Sequence, residues 1–173
     1  MKAFPRLVVV VALIGLVGGA WLSWRQIAPK AVESAAVQAL LGQSLNDLEG
    51  QPRALAQYRG KPLLVNFWAT WCAPCVEEMP ALSAMHDDLA QKSAQIIGIG
   101  IDSPSNIREF VTRVKVHYPL YVGGMGGSEL ARTFGNQAGG LPYTVLIGAD
   151  GQVHKTYLGR LRIDQVRADI AAL

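Results

Sequence analysis

The chain has only two cysteines, Cys72 and Cys75, within Trp71-Cys72-Ala73-Pro74-Cys75. Two thiols cannot build a disulfide framework, and a four-thiolate zinc site needs two more. Separated by two residues, they can close on each other and exchange electrons with a foreign disulfide. That chemistry needs one sulfur as a thiolate near ambient pH. Unpaired N–H groups and the dipole at a helix N-terminus stabilise such a charge. The spacing predicts that Cys72 sits there, facing solvent, as the nucleophile. Cys75, one turn further in, is then the more buried, resolving thiol. Pro74 falls in the first helical turn, where a missing N–H costs little, and the small, stiff Ala73-Pro74 pair restrains the loop. The alternative is a static bridge, but closing so short a loop gains little unfolded-state entropy.

The dithiol needs a strand to end before it and a helix to start at it. Leu63-Leu64-Val65-Asn66-Phe67-Trp68 is an apolar run without strict alternation, as in a strand covered on both faces. The expected strand is 61–68. A helix over 72–91 follows, with Pro80 expected to kink it. Before them come short strands near 45–48 and after the turn Glu49-Gly50-Gln51-Pro52. A second buried strand is expected at 95–101. Asp102-Ser103-Pro104-Ser105 then caps a helix in which Ile107, Phe110, Val111 and Val114 recur at helical spacing. A short strand at 120–122 leads to Gly123-Gly124-Met125-Gly126-Gly127, which lacks the nucleotide-binding glycine pattern and is expected to be a loop before a helix at 128–134. Strands at 144–147 and 153–158 flank Asp150-Gly151, a hairpin signal, and an amphipathic helix spans 163–173. The class is α/β with a central mixed sheet flanked by helices.

Net charge is +3, from 16 basic and 13 acidic residues. Lys2, Arg6 and Arg25 flank an uncharged run over residues 7–24, and without them the balance is 13 to 13. A near-neutral body argues against nucleic-acid binding. The run is long enough to span a bilayer, and the basic residues ahead of it favour export of the rest. Residues 1–25 are therefore expected as a membrane anchor, or as a signal cleaved near Gly18-Gly19-Ala20. Residues 26–43 are expected as a tether, partly helical over 32–41, and 44–173 as the folded domain. The dithiol would work outside the cytoplasm, where thiols tend to be oxidised.

The segment Val65-Asn66-Phe67-Trp68-Ala69-Thr70-Trp71-Cys72-Ala73-Pro74-Cys75-Val76-Glu77-Glu78-Met79-Pro80 resembles the active site of the TlpA/ResA-like thioredoxin-fold thiol–disulfide oxidoreductases. The likeness runs from about Gly42 to the C-terminus. It includes an N-terminal β-hairpin, Gly60-Lys61-Pro62 and a central insertion near 102–122. Gly140-Leu141-Pro142-Tyr143-Thr144 matches the family's second landmark. The resemblance implies a cis proline at Pro142 beside the dithiol, with Leu141 offering backbone contacts to substrate and Trp71 shaping the substrate surface. It gives Asn66, where general thioredoxins carry a buried aspartate, and Trp68 supporting places. Glu78 matches a family glutamate and, three residues after Cys75 on one helix face, could accept or hand over its proton. Glu77 should face solvent.

The resemblance also implies a membrane-tethered, periplasm-facing reductase of selected protein disulfides, such as those of apocytochrome c or copper-site cysteines. A membrane electron donor would recharge it, and no cofactor beyond the dithiol is expected. A disulfide-forming oxidase remains the alternative direction. A metal chaperone binding cuprous copper at Cys72 and Cys75 is the alternative from another class, and Met79, Met85 and His86 are nearby soft or nitrogen donors. Methionines at such positions are more often core side chains, and His117 and His154 show no ligand spacing. Without a Cys-x-x-Cys-His motif, the chain does not itself attach c-type haem.

Overall fold

A computed structural model of the protein describes residues 34–90 and 94–173. The proposed anchor lies outside these residues. Among them, no helix is long and apolar enough to cross a membrane.

The elements run α1 (Ala35–Leu41), β1 (Ser44–Asn46), β2 (Pro52–Ala54), a 3-10 turn (Leu55–Tyr58), β3 (Leu63–Trp68), α2 (Ala73–Ala90), β4 (Gln95–Gly100), α3 (Pro104–Arg113), β5 (Leu120–Val122), α4 (Gly124–Thr133), β6 (Tyr143–Ile147), β7 (Val153–Leu158) and α5 (Ile163–Ala171). They build a seven-stranded sheet in the order β2-β1-β5-β4-β3-β6-β7. Strands β3, β4 and β5 are parallel, while β6 and β7 on one flank and β1 and β2 on the other pair antiparallel.

Every residue of β3 is buried, because successive side chains enter two different cores. Leu64 and Trp68 join a core with Cys72, Cys75, Met79 and Leu82 of the α2 side. Leu63, Val65 and Phe67 join the opposite core, with Val37, Leu40 and Leu130 from α1 and α4. Asn66 has the parity of Leu64 and Trp68, so an amide stands where the pattern would otherwise put a hydrocarbon.

Two expectations change. Residues 35–41, expected as part of a tether, form a helix capped by Ser34, whose hydroxyl accepts from the Val37 N–H at 3.3 Å. Val37, Leu40 and Leu41 are buried in the second core, so the folded unit includes α1. The glycine run, expected as a loop, forms the first turns of α4. The reason is tertiary. A Cβ on Gly123 would lie 2.6 Å from Ile99 Cγ2 and 3.0 Å from the Gly127 Cα. Glycine lets the chain lie against β4, and that packing overrides a poor helix propensity. The helix α2 continues through Pro80, which lies on its exposed face.

Candidate redox site

Parallel β3 and β4 end together, and the Ala69-Thr70-Trp71 loop carries the chain from β3 to α2. Three contacts fix that loop. The Cys72 N–H donates to the Ala69 carbonyl at 3.2 Å, the Ile101 N–H to the Trp68 carbonyl at 2.7 Å, and the Thr70 hydroxyl to Asp102. The Val76 N–H donates to the Cys72 carbonyl at 3.1 Å, which makes Cys72 the residue that opens α2. Pro74 falls at the second helical position, as expected.

Cys72 and Cys75 form a disulfide with a Cα–Cα separation of 5.3 Å. Cys72 is 6 % exposed and Cys75 fully buried. The order of accessibility is the expected one, although Cys72 is far more covered than a sulfur facing solvent. Trp71, 69 % exposed, stands beside it as the one large apolar side chain of the loop open to solvent. Trp68 is instead completely buried, its ring 5.3 Å from that of Phe110. Gly98 and Gly100 of β4 leave room for this indole: a Cβ at Gly98 would lie 3.2 Å from Trp68 Nε1.

Beneath the disulfide lies a polar cluster in an apolar core. Asn66 Nδ2 donates to Glu78 Oε1 and to Thr144 Oγ1, both at 2.9 Å. The other carboxylate oxygen of Glu78 accepts the Leu161 N–H at 3.0 Å. Burial pushes the Glu78 carboxyl above its ordinary value; the bonds from Leu161 and Asn66 and the charge of Arg160 oppose this without cancelling it. Glu77 points to solvent and pairs with Arg160 at 2.9 Å.

The Leu141–Pro142 peptide is cis. Tyr143 and Thr144 of β6 pair with Phe67 and Asn66 of β3, so Pro142 lies at the end of β6 nearest the end of β3. Its carbonyl accepts the Gly159 N–H at 2.8 Å. The structure thus brings Cys72, Cys75, Glu78, Asn66 and Pro142 to one end of the central strands, with Trp71 on the rim.

Residue type and spacing mark neither Thr144 nor Leu161 as part of the site, and mark Asp102 only as part of a helix-capping loop, not as the partner of Thr70. Thr144 stands in the Gly140–Thr144 landmark, but its place opposite Asn66 depends on strand register. Leu161 contributes only a backbone N–H, which leaves no trace in residue type. Met79 and Met85 are core side chains, and His117 and His154 pair with Asp87 and Asp150. Among the described residues no three potential ligands cluster as a metal site.

A disulfide opening a helix, a carboxyl below it and a neighbouring cis proline on a mixed sheet define a thioredoxin-fold redox protein. Residues 37–156 match the AhpC/TSA family, and the chain belongs to that family, among its ResA-like thiol–disulfide oxidoreductases. It is 29 % identical over 130 residues to the thiol-disulfide oxidoreductase ResA of Geobacillus thermodenitrificans, covering 75 % of this chain and 72 % of that one. With ResA of Bacillus thuringiensis (strain Al Hakam) identity is 31 % over 123 residues, covering 70 % and 69 %. The crystal structure of a thioredoxin-related protein from Neisseria meningitidis serogroup B superposes with a TM-score of 0.65 at 30 % identity, covering 74 % of this chain and 96 % of that one. The protein is a thiol–disulfide oxidoreductase.

Proposed function

We propose that the protein is a membrane-tethered, periplasm-facing reductase of selected protein disulfides, with Cys72 as nucleophile and Cys75 as resolving thiol. The observation that carries the division of labour is the unequal cover of the two sulfurs at the start of α2, with Glu78 one turn beyond Cys75. In the reduced protein, backbone N–H groups at the helix N-terminus favour a Cys72 thiolate. That thiolate attacks a client disulfide and expels one client sulfur, which takes up a proton. Cys75 gives its proton to Glu78 and attacks Cys72, expelling the second client sulfur. Two electrons pass to the client and the Cys72–Cys75 disulfide remains. A membrane electron donor then reduces it.

Trp71 and the Leu141–Pro142 edge flank Cys72 and suit an extended client segment. The resemblance to the TlpA/ResA-like proteins favours apocytochrome c or copper-site cysteines as clients and the residues 1–25 as the anchor. Replacing Cys75→Ala should leave clients trapped on Cys72 as mixed disulfides, whereas Cys72→Ala should trap few. Equal trapping by the two variants would reverse the assignment. For direction, alkylation of thiols in intact cells should find the dithiol mostly reduced; a mostly oxidised pair makes the protein an oxidase.

A further inference from the structure

Glu78 is only 3 % exposed, yet the reading above requires it to gain and lose a proton in each cycle. Both of its oxygens are held by donors, Asn66 Nδ2 and the Leu161 N–H, and neither donor opens to solvent. A second feature of the core lies close by. Tyr118 is buried, and its hydroxyl has no hydrogen-bond partner within the protein. An unpaired buried hydroxyl costs free energy and calls for an explanation. Its ring approaches Gly98, the register partner of Asn66: a Cβ on Gly98 would lie 3.1 Å from Tyr118 Cε2 and 3.2 Å from Trp68 Nε1. Tyr118 therefore borders the strand pair that carries Asn66. Burial, and then the nearby Glu78 carboxylate, push its phenol far upward, so it stays a neutral donor and acceptor.

On its other side Tyr118 lines an open notch of about 490 Å³ between the β1–β2 hairpin and the end of α2. That volume holds several waters. His86 lines the same notch, its ring 6.4 Å from that of Tyr118, and its Nδ1 is likewise buried without a partner. His86 stands two turns beyond Glu78 on α2. Burial keeps this imidazole below its ordinary value against the pull of Asp87, so near neutral pH it is uncharged, with one nitrogen to donate and one to accept. His117, paired with Asp87 at 3.0 Å, and the ion pair Arg53–Asp47 complete the charged groups named around the notch, with Glu49 at its edge.

We propose that Tyr118 and His86 form the proton exit of the active site, connecting Glu78 to solvent through this notch. The proposal rests on the proton role of Glu78 given above. When Cys75 attacks the mixed disulfide, its proton passes to Glu78. No direct hydrogen bond joins Glu78, the Tyr118 hydroxyl and the His86 imidazole, so the proton moves onward through water entering from the notch and bridging these groups. Neither residue touches the reacting sulfurs, so both are positioning residues in a proton path, and two unpaired polar groups on the wall of one notch acquire a common purpose.

The test uses the full chain in the reduced form, mixed rapidly with oxidised glutathione. At saturating glutathione disulfide the plateau rate reports the Cys75 step. In weak buffer, Tyr118→Phe should lower this rate about tenfold, a small share of what proton transfer contributes to catalysis. His86→Gln, altered on the notch wall, should lower it in the same direction. Added imidazole should restore the rate of both variants, and their equilibrium with glutathione should match the parent. Unchanged plateau rates in both variants overturn the exit. A loss that imidazole does not restore, or one accompanied by a shifted glutathione equilibrium, overturns it as a packing effect. Glu78→Gln separates the two levels: if it is slow while Tyr118→Phe is fast, only the exit fails. If Glu78→Gln is as fast as the parent, the underlying role of Glu78 fails with it.

Discussion

Asn66 gives Glu78 a donor that cannot ionise. An amide at this place holds the carboxylate oxygen at 2.9 Å whatever the pH, and its second hydrogen is engaged by Thr144. An aspartate there would set two carboxyl groups within hydrogen-bond range in a dry site. Such a pair cannot ionise fully, so one proton is retained well above the usual carboxylate range. Asn66→Asp should therefore cost stability mainly at the alkaline end. In urea unfolding of the oxidised protein, the variant should trail the parent by about 1–3 kcal/mol more at pH 8 than at pH 5. An equal deficit at both pH values would mean that Asn66 contributes packing rather than charge control.

At the scale of elements, α4 shows where local preference yields to contact. Gly123 has an ordinary φ of −92°, so a side chain there is opposed by space alone. Gly126, by contrast, has nothing within 4 Å of a Cβ position. Gly123→Ala should then destabilise the protein by about 1–3 kcal/mol through overpacking on Ile99. Gly126→Ala should stabilise it by about 0.5–1 kcal/mol by raising helix propensity. Thermal melting of the two variants checks the pair, and shifts of the same sign would contradict it. The same contrast explains what sequence made legible. β3 and α2 could be read because an apolar run, a helix start and the cysteine spacing all agree locally. The start of α4 could not, since five residues of which four are glycine read as a loop until β4 is placed against them. The sequence over 32–41 reads as partly helical without revealing that α1 docks, because Val37 and Leu40 share a core with β3 and β6 side chains far along the chain. In the candidate site, the places of Cys72, Cys75 and Glu78 are legible in residue type and spacing, and that of the cis Pro142 only in the resemblance of Gly140-Leu141-Pro142-Tyr143-Thr144 to the family's second landmark. Thr144 and Leu161 act through register and a backbone N–H, and Tyr118 through burial, none of which residue type encodes.

For the whole molecule, Glu78 sets a pH dependence of stability opposite to that of the surface acids. Asp47, Asp150 and Asp169 are held below their ordinary value by hydrogen bonds from Arg53, Gln152 and Lys155 respectively, so their contributions are lost as pH falls through the folded values. Glu78 runs the other way. Below the ordinary carboxyl value of 4.5 it is protonated in both the folded and unfolded chain and contributes nothing. As pH rises past that value the unfolded chain releases its proton while the fold retains it, so stability falls. The loss is complete once pH exceeds the raised folded value. His86, depressed by burial, adds a dependence of opposite sign below 6.5, and the aspartates add theirs at lower pH. A single profile of the parent would mix all of these. Comparison with Glu78→Gln removes them, because every other group is common to both proteins. The stability of the variant relative to the parent should therefore rise as pH climbs past 4.5 and level off once pH exceeds the raised folded value of Glu78. Urea unfolding of the two oxidised proteins at half-unit intervals measures that difference directly. A difference constant from pH 4 to 8 would show that Glu78 titrates like an exposed acid, and would remove the basis for its holding the Cys75 proton.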